Sequence, residues 1–194
     1  MFAKAREKAK GAACLSNEKQ IGLAWLMYQQ DYDDILVPAY CRGTGYWYDL
    51  VQPYMKNRGI LQCPSGQKTS YCSYFLNFLS YSPAYPGTPP ASDHGARFDF
   101  DTNASFVKRP ADTIWALEYV NYTGADTIFS IGYDYDIAGY TPFLTDSGFS
   151  PHNDTANVMF CDGHAKNIKW SQYMKNRYFY IEETAPSANL APNW

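Results

Sequence analysis

Histidine and aspartate side chains near the end of the sequence have types and spacing that suit a metal site. Nine residues separate His152 from Asp162-Gly163, and His164 follows directly. Imidazole and carboxylate groups are ligands of zinc and related ions. Asp-Gly is also the residue pair of a two-residue hairpin turn, and His152 can bond a carboxylate or backbone group to pin the preceding loop to that turn. Both interpretations stay open, and we favour the structural one.

A second set of acidic residues offers oxygen ligands for calcium. Asp134, Asp136 and Asp146 lie within one stretch. Their spacing does not match an EF-hand loop, which requires a glycine at its sixth position and a glutamate at its twelfth. The alternatives are a calcium site and a set of solvated turn aspartates. Apart from these metal alternatives we expect no cofactor.

Catalytic motifs are lacking. Asp99, Asp101 and Glu118 are carboxylates of the kind that hydrolyse glycosides, but the sequence does not fix their separation. It contains neither a G-x-S-x-G nucleophile elbow nor a glycine-rich phosphate loop. We therefore expect no enzyme activity.

The length of the chain predicts one domain, and its charged residues are distributed unevenly. The chain has 194 residues and a net charge of -3, which argues against a general nucleic-acid binder. Four basic residues against one acidic residue make the first ten positions basic, so the remainder is acidic. Tyrosine is abundant, and a Pro-rich stretch covers residues 80–96. These features allow a rival function, a module that binds extracellular polysaccharide or peptide through an aromatic surface.

Five cysteines occur, and none belongs to a C-x-x-C motif. We favour an exported protein, in which disulfides form. Cys14 is predicted at a core-facing helix position. One disulfide is expected to join two of the other four, Cys41, Cys63, Cys72 and Cys161.

One helix is predicted from residue 2 to about residue 31, because no proline interrupts a run rich in Ala, Lys, Glu, Gln, Leu and Met. Its first half is basic and carries small residues, so we expect the stretch from Phe2 to Ala13 to project and to serve assembly through residues such as Ala5 and Ala9. Apolar residues recur at helical spacing in its second half. The face predicted to pack on the head carries Ile21, Leu23, Ala24, Met27 and Tyr28.

The remaining chain alternates short elements with turn-rich segments. Residues 47–57 read as a short helix and residues 60–63 as an extended piece. Asp162-Gly163 predicts a hairpin between the last two strands. The predicted fold is α+β, with an N-terminal helix (1–31) packed on an antiparallel sheet head (32–194) that has long irregular loops. The predicted strands are 71–78, 113–120, 127–133, 157–161 and 164–170.

Two blocks of the sequence resemble a known family. The run from Phe2 to Lys10, continued by Cys14-Leu15-Ser16-Asn17 and Gln20-Ile21-Gly22-Leu23-Ala24 to Tyr28-x-x-Asp31-Tyr32-Asp33, is similar to the region after the membrane segment of bacterial prepilin-like proteins. His152 and Asp162-Gly163 resemble the H-X9-DG signature of prepilin-type processing-associated proteins, relatives of type II secretion pseudopilins.

The resemblance implies a type IV pilin-like fold and a structural subunit of an envelope filament. Its implied partners are other pilin or pseudopilin subunits, an inner-membrane assembly machinery, and a prepilin peptidase that acts on the full-length form. The head would be periplasmic or on the cell surface, anchored in the inner membrane before assembly. No apolar run here approaches the ~20 residues of a membrane span, so we expect the chain to start just after an apolar half-helix.

Overall fold

The computed structural model describes the helix, most of the segment that follows it, and the strands of one sheet. Several predictions lie outside the described residues: the aspartates Asp134, Asp136 and Asp146, the strand at 127–133, the Pro-rich stretch 80–96 and Trp170. The described residues are 2–38, 40–41, 45–66, 72–76, 103–107, 109–112, 114–118, 151–169 and 171.

The N-terminal helix, α1, spans Phe2–Asp31 without interruption, which confirms the predicted single helix. It ends where Asp33 and Asp34 adopt positive φ angles of 51° and 61°, a conformation that aspartate tolerates better than most residues. The amide of Asp34 donates to the carbonyl of Gln29 at 2.9 Å, which satisfies one of the last helical acceptors. No helix among the described residues is long and apolar enough to cross a membrane.

A four-stranded antiparallel sheet forms the head, and its strands lie side by side in their order along the chain. The coarse α+β prediction is therefore confirmed. The predicted hairpin is present, but its loop has three residues, Cys161 to Gly163, and not the predicted two, because the amide of Phe160 donates to the carbonyl of His164 at 2.9 Å. Gly163 has a φ of 84°, and its amide donates to the carbonyl of Phe160 at 2.9 Å. The strands are β1 (Tyr40–Cys41) and β2 (Gly45–Tyr46), which pair separately, and β3 (Tyr74–Leu76), β4 (Ile114–Glu118), β5 (Thr155–Phe160) and β6 (Ala165–Lys169).

The segment between α1 and β3 differs from the prediction. The helix predicted over residues 47–57 is only α2 (Trp47–Leu50), followed by a 3-10 turn at Gln52–Tyr54 with Pro53 as its second residue. The piece predicted as extended contains another 3-10 turn, Arg58–Leu61, because the Asn57 side chain accepts from the amide of Gly59 at 2.8 Å and caps it. A further 3-10 turn spans Ala104–Phe106.

Aromatic residues fill the core between α1 and the sheet. Trp25 of α1 lies 3.9 Å from Trp115 of β4 between ring centroids, and Trp47 meets the same ring at 5.2 Å. All three are fully buried. Trp47 and Trp115 therefore do not belong to the aromatic binding surface that the rival function requires.

The predicted packing face of α1 is only partly correct. Ile21, Ala24 and Tyr28 are buried as predicted, but Leu23 is 60% and Met27 41% exposed. Each helical residue turns the chain by about 100°, so Leu23 and Met27 lie on the far side from Ile21 and Trp25, which set the buried face.

The first half of α1 does not project as predicted, since it also packs on the head. Phe2 is 89% exposed, and Ala5 and Ala9 are exposed too. In contrast, Gly11 and Cys14 are buried, and Glu7 contacts the turn before β5. Only the first turn and the outer face are left for the predicted role in assembly.

Glycine is required where α1 meets the β5–β6 turn. A Cβ atom on Gly22 would collide with the carbonyl oxygen of Gly163, and a Cβ on Gly163 would lie 2.6 Å from Leu26 Cδ1. The two backbones therefore approach more closely than any residue with a side chain permits.

We expect Gly22→Ala to destabilise the protein by about 2 kcal/mol or more, because the collision involves backbone and cannot relax by a rotamer change. Alanine normally stabilises a helix relative to glycine by up to about 1 kcal/mol, so the expected sign is the reverse of the helix propensity. Urea denaturation measures the difference, with the exposed Ala13→Gly as the propensity control. A more stable Gly22→Ala variant would contradict the close approach.

Candidate functional site

His152 sits in a tight turn just before β5. Asn153 and Asp154 both have positive φ angles, 54° and 62°, which reverses the chain within two residues. The His152 amide donates to the carbonyl of Thr155 at 3.1 Å, and the Thr155 hydroxyl donates to the carbonyl of His152 at 2.6 Å. This turn directs the imidazole beneath α1, where it is almost fully buried.

Two carboxylates hold the imidazole, one at each ring nitrogen. Nδ1 lies 3.0 Å from Oε1 of Glu7 on α1, and Nε2 lies 3.1 Å from Oε1 of Glu118 on β4. A Cβ atom on Gly11 would stand 3.1 Å from the ring carbon Cγ of His152. Glycine at this position lets the helix rest directly on the ring.

Further hydrogen bonds orient the two carboxylates. Oε2 of the fully buried Glu118 accepts from the amide of Asn157 at 2.8 Å. The Asn157 side chain in turn donates to the carbonyl of Gly11 at 3.1 Å, which ties β5 to the helix backbone. On the other side, the hydroxyl of Ser65 donates to Glu7. Strand, helix and loop therefore share one hydrogen-bonded network.

A disulfide joins Cys14 of α1 to Cys63, next to the imidazole. Sγ of Cys63 lies 3.5 Å from Nε2 of His152. The bond closes a sequence separation of 49 residues, which corresponds to about 4 kcal/mol of stabilisation in the chain-entropy description. The Cys63 amide donates to the Ser73 hydroxyl at 3.0 Å, so the segment that carries Cys63 is also fixed to the start of β3.

The predicted disulfide was wrong in its pairing. Cys63 pairs with Cys14, which was assigned to the core, while Cys72 and Cys161 are buried free thiols. Burial raises the pKa of Cys72 to about 12, so it is protonated and unreactive at neutral pH. The side chain of Cys41 lies outside the described residues. The pairing depends on how the helix docks, which cysteine spacing does not reveal.

The charges around the imidazole favour its protonated form. Burial lowers the pKa of His152, but the hydrogen bonds and negative charges of Glu118 and Glu7 outweigh burial and raise it. For Glu7 the balance is reversed. Burial raises the pKa of Glu7, but its hydrogen bonds to Ser65 and His152 outweigh burial, so the pKa is lowered. His152 and Glu7 therefore stabilise each other's charged forms.

Glu18 is a buried acid beside this network. It is fully buried, and neither carboxylate oxygen has a hydrogen-bond partner among the described residues. Burial and the charge of Glu118 raise the pKa of Glu18 well above its usual value. An ionised carboxylate there would be costly, so the fold favours the neutral form of Glu18.

The structure separates two predicted members of the site from the third. His152 lies before β5, whereas Asp162 lies in the turn after β5 and His164 follows that turn. The latter two pair with each other, Oδ1 to Nδ1, at 2.6 Å. His152 therefore pins its loop to α1 and β4, not to the hairpin as predicted. Gly163 has its own role against Gly22.

Sequence reasoning missed most of the residues that surround His152. It considered Glu118 only as a candidate catalytic acid and did not single out Glu7 or Glu18. One signal was present: polar residues that face the head recur along α1 at helical spacing. They are Glu7, Cys14 and Glu18, with Gly11 between them.

We expect His152→Asn to destabilise the protein by about 3 kcal/mol, because it leaves the buried carboxylate of Glu118 without its ring partner. The matched control is His164→Asn, which breaks a pair whose side chains are 42% and 35% exposed and should cost less than about 1 kcal/mol. Urea denaturation of both variants tests the contrast. Equal losses would show that the His152 network is not a principal contact.

Stability should fall as pH rises because of Glu18. A raised pKa in the folded state means that its stabilising contribution is complete below the unfolded value near 4.5 and is lost as pH rises through the folded pKa. Glu18→Gln should therefore gain stability relative to the parent protein between about pH 5 and pH 8, by about 1 kcal/mol or more. Denaturant unfolding of the variant and the parent protein at the two pH values measures this difference in stability.

The opposite sign is expected for Glu7→Gln. The folded pKa of Glu7 is lowered, so its contribution is present above the unfolded value and is lost as pH falls through the folded pKa. This variant should lose stability at neutral pH and approach the parent protein in acid. If the stability of both variants relative to the parent protein changed with pH in the same direction, the raised pKa of Glu18 and the lowered pKa of Glu7 would be contradicted.

Comparisons with protein-family models, with curated proteins and with solved structures gave no match. The pilin-like resemblance therefore stays a prediction. The residues around His152 form a buried contact between α1, β4 and the turn before β5, which we call the joint.

Proposed function

We propose that the chain is a non-catalytic, pilin-like subunit of a bacterial envelope filament that assembles through α1. The observation that carries the proposal is the helix itself. It runs unbroken over 30 residues, which corresponds to about 45 Å, and within the described part of the chain one side of it rests on the sheet. A long helix with one docked side and one open side suits packing against helices of neighbouring subunits.

The open side of α1 supports this proposal by its composition. Small and apolar residues recur on it every three or four positions, interrupted by Lys19 and Gln20. Small residues let helices approach closely, and head-to-tail contacts of this kind build open helical assemblies. The exposed residues of the stripe are Phe2, Ala5, Ala9, Ala12, Ser16, Leu23 and Met27.

The closed site around His152 supports a structural role over catalysis. Its side chain is 4% exposed, and both ring nitrogens are held by carboxylates. Among the described residues, both nitrogens are therefore covered by side chains of the helix–sheet interface. The site holds the helix at one angle and rotation on the head.

On this proposal the full-length protein carries an apolar half-helix ahead of Phe2, which a prepilin peptidase exposes and which anchors the subunit in the inner membrane. The head is then periplasmic or on the cell surface, with other pilin subunits and the assembly machinery as partners. Intact mass and N-terminal sequencing of the protein from its own cells test this part. An N-methylated apolar segment of roughly 20 residues is expected, whereas release by ordinary signal cleavage would contradict it.

The stripe itself is tested by the double variant Leu23→Glu and Met27→Glu in the full-length protein. Both residues are exposed, so folding should be unaffected while helix packing between subunits is disrupted by buried charge. We expect protein recovered in sheared filaments to fall by about tenfold or more, with an unchanged cellular level. The charge-matched control changes Gln52 and Gln62, exposed on the head, to Glu. Equal recovery of both doubles would overturn the role of the stripe.

A further inference from the structure

Four metal-ligating side chains converge at the point where α1, the Cys63 segment, β4 and the turn before β5 meet. Sγ of Cys14, Sγ of Cys63, a carboxylate oxygen of Glu118 and a ring nitrogen of His152 all lie within 4.8 Å of one another, and all four residues are buried. We propose that, in the reduced protein, they bind one zinc-class ion, so that disulfide and metal are alternative occupants of one joint.

Two of the ligand–ligand distances match a tetrahedral site. Zinc bonds of about 2.3 Å to sulfur and 2.0–2.1 Å to nitrogen or oxygen give tetrahedral edges of about 3.6 Å between S and N and about 3.3 Å between N and O. Sγ of Cys63 lies 3.5 Å from Nε2 of His152, and Nε2 lies 3.1 Å from Oε1 of Glu118. Metal binding after reduction also requires the two sulfurs to separate to about 3.8 Å.

The surrounding hydrogen bonds are those that orient metal ligands. Glu7 holds Nδ1 of His152 at 3.0 Å, which directs the other ring nitrogen, Nε2, at the ion. The amide of Asn157 holds Oε2 of Glu118 at 2.8 Å, which leaves Oε1 to ligate. Such outer contacts fix the tautomer and the direction of ligands in metal sites.

The ligand types select the class of ion. Two thiolates with one imidazole and one carboxylate in a four-coordinate arrangement favour zinc and disfavour calcium or magnesium, which require oxygen ligands. The aspartates predicted for calcium contribute nothing to this site. Cys72 and Cys161 are outside the cluster and provide controls.

The disulfide must be reduced before the metal can bind, and a phosphine supplies the two electrons that this reduction requires. The phosphine attacks one sulfur and the Cys14–Cys63 bond breaks; water supplies the oxygen of the phosphine oxide and the two protons of the thiols. Two electrons pass from phosphorus to sulfur. Zinc then displaces both thiol protons as it binds the thiolates.

The test is a titration of the whole chain with cobalt(II), and then zinc, after reduction by a water-soluble phosphine. We expect one cobalt per chain, with thiolate-to-cobalt charge-transfer absorption and the intense visible bands of four-coordinate cobalt, both removed by zinc. The oxidised protein should show neither band. The variant Cys14→Ala should lose the charge-transfer band or weaken binding about 100-fold, while Cys72→Ala and Cys161→Ala keep the full signal.

A partly exposed position separates a built site from binding by unfolded thiols. The side chain of Glu7 is 25% exposed, so the Glu7→Gln variant should fold. Because Glu7 orients the imidazole of His152 through Nδ1, the variant should weaken cobalt binding by about tenfold or more. If the reduced chain unfolds, zinc should restore its native circular dichroism. The proposal is overturned by binding insensitive to Glu7 and His152, by loss in the Cys72 or Cys161 controls, or by a reduced chain that neither binds cobalt nor refolds with zinc.

Discussion

Close contact between α1 and β5 is the constraint on which the remaining structure depends. Gly11 meets the ring of His152, and Gly22 meets the backbone of Gly163. Gly22 follows Gly11 by eleven positions, and Gly163 follows His152 by the same number. Helix and strand therefore run in the same direction between the two contacts. Eleven helical residues cover about 16 Å, close to the length of a six-residue strand. The H-X9-DG spacing is thus the length of one strand with a helix contact at each end.

This contact determines which polar groups become buried. With Gly11 on the imidazole, the same side of α1 brings Glu7, Cys14 and Glu18 into the interface, where each must be paired, bonded or neutral. Glu7 is paired with His152, Cys14 is bonded to Cys63, and the fold favours the neutral form of Glu18. An apolar interface alone would tolerate rotation of the helix about its axis. These three groups permit one rotation, and that rotation leaves Leu23 and Met27 on the open side.

The sequence predicted the elements well where periodicity alone decides them. The unbroken α1 and the β5–β6 hairpin follow from helix formers without proline and from Asp162-Gly163 between two short strands. The phase of the buried face was wrong for Leu23 and Met27 because large apolar residues occur on both sides of α1, and only the docking of the helix on the head selects one side. The Cys14–Cys63 pairing and the Glu118–His152 contact join residues far apart in sequence, so no local pattern contains them.

The position of the disulfide has a mechanical meaning if α1 carries assembly contacts. A force along the helix axis would slide α1 over the sheet, and apolar contacts between smooth faces resist sliding weakly because they are non-directional. Cys14–Cys63 lies between the Gly11–His152 contact and the Gly22–Gly163 contact, so it resists the same displacement with a covalent bond. A zinc ion held by the two sulfurs, His152 and Glu118 would join the same elements. Either occupant would therefore transmit load from α1 to the head, and the difference between them would lie in the chemical conditions that release it.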